Sequence, residues 1–98
     1  MVSKVSEITI DNVADYIRAT DTEGIDTYLN IAKHFISNYT GIPVTDEEGE
    51  SLDDFPDFII VVYILCQDMY DNRTLYVDKT NINKTVQTIL DMHTRNNL

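Results

Sequence analysis

Apolar positions along the chain recur at helical spacing in three places and run together in a fourth. Ile10, Val13, Ala14 and Ile17 stand at i, i+3, i+4 and i+7, the stripe that one face of an α-helix presents. Thr9 precedes them as a residue suited to cap a helix, and the polar run Thr20-Asp21-Thr22-Glu23-Gly24 ends the segment. A second stripe follows at Ile25, Leu29, Ala32, Ile36 and Tyr39, widened by Tyr28 and Phe35. Gly41 can take the left-handed position after a helix and Pro43 cannot continue one, so this helix closes near residue 40. Residues 1–8 show no such period and read as a loose lead-in.

The run Phe58-Ile59-Ile60-Val61-Val62-Tyr63-Ile64-Leu65-Cys66 has no polar side. Its β-branched residues would suit a strand. The proline at position 56 and the continuation through Met69 and Tyr70 make the segment long for a strand and favour a helix over 55–71, capped by Asp53 or Asp54. A helix apolar all round has to be covered all round, so this one is predicted to lie at the centre, packed by the other helices and by a further subunit where they leave it bare. Leu75, Tyr76 and Val77 sit in a connector, Thr74 to Thr80, that could be extended. Asn81 or Asn83 then caps a last helix, near 83–94, with Ile82, Val86, Ile89, Leu90 and His93 on one face. The predicted fold is all-α: a small four-helix bundle around an apolar third helix, with helices near 10–19, 25–40, 55–71 and 83–94.

The chain's 98 residues can fill one core, so 1–98 is read as a single helical domain. No window of about 18 apolar residues is present to span a membrane. The start, MVSKVSEITI, lacks the apolar stretch of a secretory signal, and a lone Cys66 can form no internal disulfide; both suit a protein made in a cytosol. Net charge is −10, which argues against holding nucleic acid by its phosphates. The charge is also divided: residues 1–71 carry 15 acids and 3 bases, whereas residues 72–98 carry 2 acids and 4 bases. Such polarity suits head-to-tail contact between copies.

Candidate chemistry is sparse. Cys66 lies inside the apolar run, where a thiol acts as a small hydrophobe with nothing to form thiolate. His34 falls opposite its helix's apolar face and is expected in solvent, whereas His93 falls at the edge of the last helix's apolar face and is expected to pack. Neither belongs to a pair with metal-ligand spacing. Asp46, Glu48 and Glu50 alternate as in a calcium loop, but the glycine at 49 is misplaced and the closing glutamate is missing, so the 44–54 segment reads as a solvated acidic loop. No phosphate-binding glycine loop or serine elbow is present. No catalytic, cofactor or metal site is predicted, and the chain is expected not to be an enzyme.

Two stretches carry a resemblance. Tyr70-Asp71-Asn72-Arg73, closing an apolar helix that begins with proline, resembles the Y-x-N-R signature of siphophage head–tail connector (adaptor) proteins. The tail Val77-Asp78-Lys79-Thr80-Asn81-Ile82-Asn83-Lys84, with Val86, Ile89-Leu90 and Met92-His93 after it, is similar to the C-terminus of members from phages of Gram-positive hosts. Ile8-Thr9-Ile10 through Tyr16-Ile17, and the helix from Ala32 to Gly41, match the family's usual opening, while the acidic loop matches no family motif.

The resemblance implies a virion structural protein at the head–tail junction. Such proteins form homo-oligomeric rings of about twelve copies beneath the portal protein, extend the DNA channel and offer a docking surface to the next tail-proximal protein. Viral DNA would pass through without specific binding, and no membrane or cofactor is involved. Tyr70, Asn72, Arg73, Lys79 and Lys84 are the assembly candidates. Arg73 has two readings, a cation at a helix C-terminus or an interface arginine paired to a carboxylate. The alternative function is a small acidic binding or inhibitor protein of the DNA-mimic type, which would share the charge but act as a monomer or dimer.

Overall fold

Each helix of the bundle starts where a short polar side chain, a glycine or a proline interrupts the preceding chain. The computed structural model describes residues 4–19, 22–44, 51–72, 74–77 and 82–94. Helix α1 spans Ile10–Ile17, α2 Ile25–Thr40, α3 Asp57–Asn72 and α4 Lys84–His93, and no strand occurs among the described residues.

Thr9 caps α1 as its sequence suggested. Its Oγ1 accepts from the Asn12 N–H at 3.1 Å, and the Asn12 side chain returns the bond to the Thr9 N–H at 2.9 Å. Asn83 caps α4, its Oδ1 accepting from the N–H groups of Thr85 and Val86 at 2.8 and 3.3 Å. Gly41 closes α2 in the left-handed conformation, φ 79°, and its N–H donates to the Ser37 carbonyl. The buried Thr40 hydroxyl donates to the Ile36 carbonyl and accepts from the Ile42 N–H, which anchors the fully buried Ile42 beyond the helix end.

Ring contacts and hydrogen bonds fix the helix directions. Ser6 meets Asp53 and Tyr16 stacks on Tyr63, so α1 runs alongside α3 in the same sense. Tyr28 near the start of α2 meets Tyr70 near the end of α3, and His93 at the end of α4 meets Phe58 at the start of α3. Helices α2 and α4 therefore oppose α3, and Tyr39 bonds Asp91 where their C-terminal ends meet. The arrangement alternates up and down, with α3 packed against each of the other three helices. Buried residues from all four helices form one cluster, in which Phe58, Val61, Val62, Leu65, Cys66 and Met69 of α3 lie at its middle.

Three expectations need correction. The lead-in is structured: Val5–Glu7 form a 3-10 turn, and Val5 and Ile8 are buried, because an apolar pair three residues apart can join the core through a single turn. The end of the acidic segment is structured too. Ser51 and Leu52 are buried, Leu52–Asp54 form a second 3-10 turn, and the Leu52 N–H donates to the Pro43 carbonyl at 3.0 Å. Neither Asp53 nor Asp54 caps α3. Asp53 accepts from the Ser6 N–H at 2.7 Å and Asp54 accepts from the Ser51 N–H at 3.1 Å, so both are engaged around the second 3-10 turn. The other helices leave one side of α3 bare, where the sequence reading set a further subunit: Ile60 is exposed, and Ile59, Tyr63 and Ile64 are half-buried.

Candidate assembly surface

Helix α3 has sixteen residues, and one stripe of them faces away from the bundle. Ile60, Ile64, Gln67 and Asp71 follow at steps of four, three and four, which places them on one face. Ile60 is 40% exposed there, and Tyr16 of α1 is 42% exposed beside it, its ring stacked on Tyr63 with centroids 4.9 Å apart. Asp57 precedes the apolar pair on the stripe's flank, and Asp68 and Asp71 follow it. Burial and the nearby charge of Asp71 raise the Asp68 carboxyl above its ordinary range. Gln67 donates to both oxygens of Asp71 at 3.2 Å.

The far end of α3 carries the residues singled out by the family resemblance. Tyr70 is half-buried and meets the Tyr28 ring edge-on, with centroids 6.5 Å apart. Two positions on, Asn72 turns away from that contact, and its Nδ2 donates to the Asp68 carbonyl at 2.8 Å. Tyr70 thus holds α2 while Asn72 finishes its own helix, and the two side chains do not converge. Lys84 is exposed in the first turn of α4. Arg73 and Lys79 lie outside the described residues.

The Thr74 N–H donates back to the Met69 carbonyl at 3.1 Å, wrapping the chain around the helix end before it departs. Leu75 and Tyr76 follow, each 63% exposed. Tyr76 and Val77 border a cleft of about 410 Å³ against Leu65, Met69 and Ile82, and a shallower one of about 350 Å³ against Ile31 and Phe35 of α2. The connector therefore lies beside α2 with its largest side chains turned partly into solvent. Sequence reasoning flagged its three apolar residues but not their exposure, and it missed Tyr16 and Ile60 as surface residues. A polar neighbour at every fourth position would have revealed the outward stripe of α3 only if Ile60 and Ile64 had themselves been polar.

The groups considered for chemistry are placed as follows. Cys66 is fully buried, and burial pushes its thiol up to about 12, which suppresses the reactive thiolate. His34 is exposed, with Nδ1 at 2.8 Å from the Asn30 carbonyl. His93 packs between Phe55 and Phe58, with centroids at 4.8 and 5.2 Å, and its Nε2 lies 3.1 Å from Asp57 Oδ2. Among the described residues no group of three or more His, Cys, Asp or Glu could hold a metal ion, and no helix is long and apolar enough to cross a membrane. Asp46, Glu48 and Glu50 fall outside the described residues. Searches against protein-family models, curated proteins and solved structures find no match to the chain.

Proposed function

We propose that this protein is a non-enzymatic structural subunit that assembles with copies of itself into a ring, as in the phage head–tail connectors it resembles. The observation that carries the reading is the exposure of large apolar side chains outside the core: Tyr16 and Ile60 on α1 and α3, Leu75 and Tyr76 beyond α3, and Ile10 and Met92 besides. A monomer gains nothing from exposing Ile60, Tyr16, Leu75 and Tyr76, whereas a subunit that covers them with neighbours does. The charge division supports the same reading, because a surface of unlike ends favours a repeating head-to-tail contact. A net charge of −10 also suits a conduit that should not retain the phosphates of passing DNA. In this reading the ring sits at the virion's head–tail junction, between the portal protein and a tail-proximal protein.

Native mass spectrometry and electron microscopy test the proposal, on the chain alone at high concentration and with the portal protein of the same genome. Closed rings, alone or seated on the portal, are expected. A chain that stays monomeric or dimeric in both settings would overturn the ring and favour the small acidic inhibitor. Within the ring reading, Arg73→Ala is expected to leave a helical monomer and impair assembly, which an assay for tailed, infectious particles would register. Particles at normal yield would make Arg73 a local helix-end residue.

A further inference from the structure

We draw no further inference here: the strongest candidate, the cleft of about 410 Å³ between α3 and the connector lined by Leu65, Asp68, Met69, Tyr76 and Ile82, carries none, because the adjoining Arg73 and Lys79 lie outside the described residues and nothing in the structure shows what covers it.

Discussion

The two faces of α3 are built from the same kinds of residue and do different work. The inner face, Phe58, Val61, Val62, Leu65, Cys66 and Met69, is enclosed by the other three helices. The outer stripe holds Ile60 and Ile64, equally apolar, yet Ile60 is exposed and Ile64 only half-covered. Hydrophobicity therefore measures a residue's demand for cover and not whether its own chain supplies it. Three helices can enclose part of a fourth, and no further α-helix among the described residues closes the remaining side. What differs between the faces is the packing partner, and a partner's absence from the bundle turns a core residue type into a surface one.

The largest difference should appear on truncation. Leu65→Ala is expected to cost roughly 2–5 kcal/mol in chemical denaturation, since a fully enclosed leucine loses both its transfer free energy and its packing. Ile60→Ala should cost less than about 1 kcal/mol in the monomer, because a partly exposed site leaves no closed cavity. Equal losses would erase the distinction between the faces. The Cys66 thiol offers a second probe of the inner face: Ellman's reagent should fail to react with the native protein and react fully once it is unfolded. Rapid labelling under native conditions would show that the inner face opens readily.

Smaller effects come from the elements that hold the inner face shut. Asn83→Ala removes the acceptor for two N–H groups at the start of α4 and should cost about 1 kcal/mol. Because α4 contributes the fully buried Val86 and Leu90, its fraying should also raise hydrogen exchange on the facing part of α3. His93→Ala should likewise cost about 1 kcal/mol through lost ring contacts with Phe55 and Phe58, more than its partly exposed pairing with Asp57 contributes. A loss from His93→Ala that vanishes in high salt would reverse that ranking.

The smallest expected effect lies on the outer side. Burial and Asp71 raise the Asp68 carboxyl above its ordinary value of 3.8, so the folded chain holds this proton more tightly than the unfolded one. Its contribution is therefore fully present below 3.8 and is lost as pH rises through the raised pKa. Asp68→Asn should raise the melting temperature slightly at neutral pH, with the gain shrinking as the solution is acidified below that value. A gain that grows on acidification would show that the Asp68 carboxylate is stabilised in the fold.

Local signals were legible because they depend on neighbours in sequence. Thr9 and Asn83 cap because a short acceptor side chain reaches an N–H two or three residues on. Gly41 ends α2 because a residue without a Cβ takes the left-handed position at little cost. The four helices, their order and the central place of α3 follow from spacing and from one run with no polar side. The roles of Asp53 and Asp54 were not legible, because both aspartates suit a helix start and only the approach of Ser6 from the chain's beginning decides where Asp53 bonds. The burial of Val5 and Leu52 was hidden for a similar reason: Val5 and Ile8 make one helical step too short to announce a helix, and Leu52 is one apolar residue in an acidic segment.

The assembly candidates divide the same way. Tyr70 and Asn72 were found as a motif, but the helix turns their side chains apart, one to Tyr28 and one to the backbone of Asp68. The sequence by itself determined that this protein is helical, where its helices run and which of them contains an apolar run with no polar side, since those properties are set within a few residues along the chain. Tertiary structure alone decided that Ile60 and Tyr16 remain in solvent while Leu65 and Val13 do not. Burial depends on which segments distant in sequence arrive at a given face, and no residue's own chemistry specifies who its neighbours will be.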